Sequence, residues 1–114
     1  MASNIDFVEY VCGQVQGGLP VSQRKMFGEY AIYVGSKVVG LVCDNQLFVK
    51  PTKAGRALLE TPVESPPYAG AKPYFLIGDQ LEDRDFITQL FTVTESELPT
   101  PKPKKPKAAT KRGT

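Results

Sequence analysis

The chain has 114 residues, 41% of them hydrophobic and 23% charged, enough for one small core. It contains no histidine, and Cys12 and Cys43 stand in separate apolar patterns, so neither a zinc tetrahedron nor a histidine-activated nucleophile is available. The net charge of +2 is uneven: residues 1–98 hold eight Lys/Arg against twelve Asp/Glu, whereas residues 99–114 hold six Lys/Arg, no acid and four prolines.

The first residues carry Asp6 and Glu9 where a secretory leader needs basic groups, and the apolar runs are too short to cross a membrane. The expectation is a cytoplasmic protein with both cysteines reduced. Ser3 is placed to cap a helix with Asp6 three positions on. Ile5, Val8, Val11, Cys12 and Val15 share one face of that helix, which Gly17, Gly18 and Pro20 end.

From Lys25 the period becomes strand-like, and it breaks at Gly35-Ser36 and Asp44-Asn45, both with two-residue hairpin chemistry. A three-stranded antiparallel meander over residues 25–34, 37–43 and 46–50 is predicted. Regular pairing through both turns puts Gly28, Tyr30, Ile32, Val39, Leu41, Cys43 and Phe48 on one face. Phe27, Glu29, Ala31, Tyr33, Val38, Gly40, Val42, Leu47 and Val49 take the other. Both faces are apolar, so one needs a cover: a helix of this chain, a second copy or another protein. A one-residue slip would exchange the two sets.

Pro51 stops the third strand, and Thr52 is placed to cap a short helix through Leu59 with Ala54, Ala57 and Leu58 turned inward. Residues 61–73, with four prolines, read as an irregular loop carrying an exposed Tyr68. Residues 74–77 form a fourth strand. A last helix spans residues 83–97, with Asp79 as the alternative cap, and carries Phe86, Ile87, Leu90 and Phe91 as its stripe, extended by Thr94 and Leu98.

The stretch RKMFGEYAIYV, a turn, then VVGLVCDNQLFVK and a later PYF resemble the TfoX N-terminal domain family over residues 3–97. Met26, Phe27, Gly28, Tyr30, Tyr33 and the run from Asp44 to Lys50 carry the likeness. The resemblance implies an α+β fold, an antiparallel sheet flanked by terminal helices, and a regulatory role in competence for DNA uptake alongside a transcription activator. It implies no enzymatic activity, cofactor or catalytic residue.

The organisation expected is a domain over residues 1–98 and a disordered, Lys/Pro-rich tail over residues 99–114. Met26, Phe27, Gly28, Tyr30, Tyr33, Val38 and Val42 are the expected surface for a protein partner, either a regulator or a second copy in a homodimer. In the tail, Lys102, Lys104, Lys105, Lys107, Lys111 and Arg112 are the expected contacts to nucleic acid phosphates. No metal, cofactor or membrane is expected. Two readings compete with this adaptor: a sequence-nonspecific DNA-binding protein acting through the tail, and a small ligand-binding domain or enzyme with a pocket near Tyr68 and Tyr74.

Overall fold

Six strands form one antiparallel sheet: β1 (Val21–Met26), β2 (Glu29–Val34), β3 (Lys37–Cys43), β4 (Gln46–Val49), β5 (Val63–Ser65) and β6 (Tyr74–Ile77), in the order β1-β2-β3-β4-β6-β5. The structure, a computed structural model, describes residues 3–26 and 28–99. With helices at both ends, the architecture is the α+β fold anticipated, but the sheet has two strands more. The strand expected to begin at Lys25 is instead a hairpin. Gly28, at φ 80°, lets the chain reverse, so that Met26 faces Glu29 and Val21 faces Val34. The other addition is β5, three residues of the supposed loop that pair with β6.

The β3–β4 turn holds Asp44 at φ 54° and Asn45 at φ 56°. Two successive left-handed residues match the right-handed twist of a tight hairpin, and Asp and Asn tolerate that region best among residues with a side chain. Between β2 and β3 the register changes. Val34 pairs with Lys37 and Tyr33 with Val38, but Ile32 pairs with Gly40, which leaves Val39 as the extra residue of a bulge. Gly40 is required there: a Cβ on it would stand 2.5 Å from the carbonyl oxygen of Phe48.

The bulge corrects the assignment of faces. Regular alternation holds up to Val39 and inverts beyond it, so Val42, Leu47 and Val49 join Ile32 and Val39, while Leu41, Cys43 and Phe48 join Ala31 and Val38. The first group lies under the helices. Val8 and Val11 from α1 (Ile5–Gly13), Leu59 from α2 (Lys53–Leu59), and Ile87, Leu90 and Phe91 from α3 (Arg84–Glu97) pack on it together with Phe75 and Ile77.

Helix ends follow side-chain chemistry. Asn4, not Ser3, caps α1, its Oδ1 accepting from the Asp6 amide at 2.8 Å. Ser3 is taken up elsewhere. Its amide donates to Glu29 Oε1 at 2.7 Å and its hydroxyl accepts from the Asn45 amide at 2.9 Å. Thr52 caps α2 through the Gly55 amide at 2.9 Å, as expected, but Gly55 and Leu59 are the buried positions and Ala54 and Ala57 are exposed. Asp83 caps α3 through the Phe86 amide at 3.1 Å, after a 3-10 turn over Asp79–Glu82.

Candidate functional site

The sheet face away from the helices carries a second apolar cluster. Ala31, Leu41, Cys43 and Phe48 form its buried floor, and Met26, Tyr33, Val38, Tyr74 and Leu76 surround them half-buried. Over this floor runs a groove of about 1260 Å³, walled on one side by Pro67 and Tyr68 from the β5–β6 connection and by Tyr74. Tyr68 is 58% exposed at the rim. At the opposite sheet edge the guanidinium of Arg24 lies 5.7 Å from the centre of the Tyr33 ring.

The polar groups of the groove sit at its ends. Lys50 lies beside the start of β3, its amide donating to the Val39 carbonyl at 2.8 Å, while Glu29 and Asp44 lie where β3 finishes. Glu29 is anchored: besides the Ser3 amide, it accepts from the Asp44 amide at 3.0 Å. Desolvation acts to raise its pKa, but the bonds from the Ser3 hydroxyl, the Asp44 amide and the Ser3 amide outweigh it and hold the carboxyl below its usual range. Burial, reinforced by Glu29, pushes the Cys43 thiol up. Burial, then Tyr68 and Cys43, pushes the Tyr74 phenol up.

These shifts decide what the groove can do chemically. A thiol and a phenol with raised pKa values stay protonated at neutral pH and are poor nucleophiles. Both cysteines are free, and burial followed by Glu9 raises Cys12 in the same way. Among the described residues no three His, Cys, Asp or Glu side chains gather as they would around a metal ion. The arrangement suits binding: an apolar floor, three tyrosines on its lining and one negative end.

Of the residues expected at a partner surface, Met26, Gly28, Tyr30 and Val38 line this groove and Tyr33 belongs to the cluster beneath it. Val42 does not. It is fully buried on the helix side, because the bulge turns it over, and it has no surface to offer. Phe27 and the tail residues Lys102, Lys104, Lys105, Lys107, Lys111 and Arg112 lie outside the described residues. Tyr68 and Tyr74, which the competing ligand-binding reading puts near a pocket, share the groove with the family motif. Leu41, Cys43 and Phe48 were missed, although a glycine inside the apolar run VVGLV is a known mark of a bulge.

Fold and groove together define a small α+β domain with one helix-covered sheet face and one open, apolar face. Comparison of sequences gives the class its name. The TfoX N-terminal domain profile matches residues 14–97, and the chain belongs to that family. It is also 44% identical over 110 residues, 96% of each chain, to a Spirochaeta aurantia protein described as the "uncharacterized 12.7 kDa protein in trpE 5'region". No helix among the described residues is long and apolar enough to cross a membrane.

Proposed function

We propose that this protein is a non-enzymatic regulatory adaptor of the cytoplasm that grips an extended segment of a partner protein on its open sheet face, in the transcriptional control of competence for DNA uptake. The tail lysines and Arg112 add a sequence-nonspecific contact to nucleic acid. The observation that carries the reading is the groove itself. Its volume of about 1260 Å³ exceeds what a small metabolite fills, and its lining offers apolar and aromatic surface without a nucleophile and base. Peptide segments are recognised on such surfaces by alternating pockets and aromatic rings.

The test is genetic complementation scored by DNA uptake. A deletion strain should lose uptake, regain it with the wild-type gene, and fail to regain it with Val38→Asp, which places a charge in the groove while its thermal unfolding stays cooperative. Normal uptake in the deletion strain would remove competence from the reading, and full rescue by Val38→Asp would remove the groove. The tail contact is read separately by a gel shift over a salt series, where six cations on phosphates give a log–log slope approaching about −5.

A further inference from the structure

We propose that two copies of this chain pair antiparallel along the outer edge of β1, with Gln23 on the two-fold axis, and so form one continuous sheet that presents both grooves on the same side. The inference goes beyond the adaptor reading, since it concerns an edge of the sheet and not its open face.

The two edges of the sheet are built differently. β1 and β5 are its outermost strands, and among the described residues neither has a neighbour on its outer side. β5 has three residues, and short edges are poor templates for pairing. β1 has six, contains no proline, and keeps one register with β2 throughout. Ser22 and Arg24 on the open face and Lys25 on the helix face are exposed, so the edge is accessible from both sides.

The phase of the ladder shows which main-chain groups point outward. The Gly35 amide donates to the Pro20 carbonyl at 2.9 Å, and these residues continue the register in which Val21 meets Val34. They therefore occupy a hydrogen-bonded pair position, and alternation turns the main-chain groups of Ser22, Arg24 and Met26 toward β2. Val21, Gln23 and Lys25 turn theirs away. The Val21 amide already donates to the Leu19 carbonyl at 2.7 Å, so the amides of Gln23 and Lys25 and the carbonyls of all three present themselves at the edge.

Those groups and the charges on β1 select one register for a second copy. Two such edges bond only where outward residues meet outward residues, which allows an axis at Ser22, Gln23 or Arg24. An axis at Ser22 shortens the overlap to Val21–Gln23. An axis at Arg24 sets two guanidinium side chains opposite each other in the closer, non-bonded type of pair, where like charges destabilise. With Gln23 on the axis, the Gln23 amides bond each other's carbonyls and each Lys25 amide donates to the second copy's Val21 carbonyl. Ser22 then faces Arg24, and no cation faces a cation directly. Arg24 is also drawn inboard, its guanidinium 5.7 Å from the centre of the Tyr33 ring on β2. Basic residues ordinarily guard an edge against pairing, and here they leave this one register open.

A two-fold axis normal to the sheet keeps both open faces on one side. Five strand spacings separate the two β3 strands, which sets the grooves about 24 Å apart. A single strand pair buries less than a standard interface, so the dimer is weak and depends on concentration.

The experiment is sedimentation velocity on the full chain, freed of nucleic acid, over a concentration series. Wild type should pass from monomer to dimer as concentration rises. Gln23→Pro removes the amide on the axis but leaves the β1–β2 ladder intact, because edge strands accept proline where the amide faces solvent, and should stay monomeric. Ser22→Glu, which faces the second copy's Arg24 twice by symmetry, should lower the dissociation constant at least about threefold at low salt, and Ser22→Lys should raise it by as much. Ser22 is exposed, so this pair decides the matter even if Gln23→Pro does not fold. A wild type that remains monomeric, a dimer that survives Gln23→Pro with cooperative unfolding, or Ser22 variants that do not move the constant in opposite directions would each overturn the proposal. The adaptor reading would survive any of these, because the Val38→Asp complementation tests a different surface.

Discussion

The two faces of one sheet are built from alternate residues of the same strands, yet they end in different states. On the helix side Ile32, Val39, Phe75, Leu90 and Phe91 are wholly buried, and three helices contribute to the cluster. On the other side the four floor residues are nearly as buried, but among the described residues no helical one joins them, and the rim holds a tyrosine that is 58% exposed. Two apolar faces with one cover mean that burial of the first stabilises the fold, while the second is the surface that the proposed function uses.

The largest expected effect belongs to the covered face. Phe91→Ala should cost about 3–5 kcal/mol in urea unfolding, because its ring is fully enclosed and the cavity cannot collapse. Leu41→Ala on the open face, where neighbouring side chains can relax into the groove, should cost about 2 kcal/mol, the low end for such a truncation. Equal losses at the two positions would mean that the open face is ordinary core, and the comparison would fail.

Next comes the residue that separates the faces. Gly40→Ala forces a methyl to within 2.5 Å of a β4 carbonyl oxygen, a backbone atom with little freedom to move. A destabilisation of about 1–3 kcal/mol is expected, the range for overpacking a tight site. Urea unfolding with an unchanged midpoint would show that the bulge can be ironed out, and with it the sorting of Val42 from Leu41.

That bulge also marks the limit of what was legible in the sequence. Periodicity identified all three α-helices, two tight hairpins and β6, because caps such as Thr52 and Asp83 and turn pairs such as Asp44-Asn45 act locally. It also identified two apolar faces. What it misassigned was membership beyond Val39, since one inserted residue reverses every later side chain and its cause, the approach of Gly40 to Phe48, is a contact between strands. The split of β1 from β2 was hidden similarly: Gly28 in MFGEY reads equally as a kink in one strand or a turn between two. The groove needed Pro67 and Tyr68 brought from a distant loop to the same lining as Val38 and Leu41, which no spacing rule conveys.

A smaller effect comes from the anchored end of the groove. Glu29→Gln keeps the shape but removes the charge that accepts from the Ser3 and Asp44 amides, and should cost about 1 kcal/mol at neutral pH, a charge-assisted bond discounted for solvent access. The pH dependence has a definite sign. Hydrogen bonding lowers the folded-state pKa of Glu29, so its contribution is complete above the ordinary glutamate value of about 4.3 and is lost as pH falls through the lower folded value. Glu97, bonded to the Ala54 and Lys53 amides, acts in the same direction. Wild type should therefore lose stability on acidification in that window, and Glu29→Gln should lose less. Parallel curves for the two proteins would show that the Ser3 tie contributes nothing in solution.

The smallest change in stability should accompany a large change in recognition, and that contrast is the sharpest form of the difference between the faces. Tyr68 is mostly exposed and belongs to neither buried cluster. Tyr68→Ala should alter urea unfolding by no more than about 0.5 kcal/mol, the usual range for a surface substitution. Yet a rigid aromatic wall is the kind of residue whose truncation costs more than about 1 kcal/mol in binding. In the complementation assay Tyr68→Ala should therefore lower DNA uptake at least about fivefold relative to the wild-type gene, the counterpart of about 1 kcal/mol in binding. Uptake equal to wild type would place recognition away from this wall, however apolar the floor beneath it.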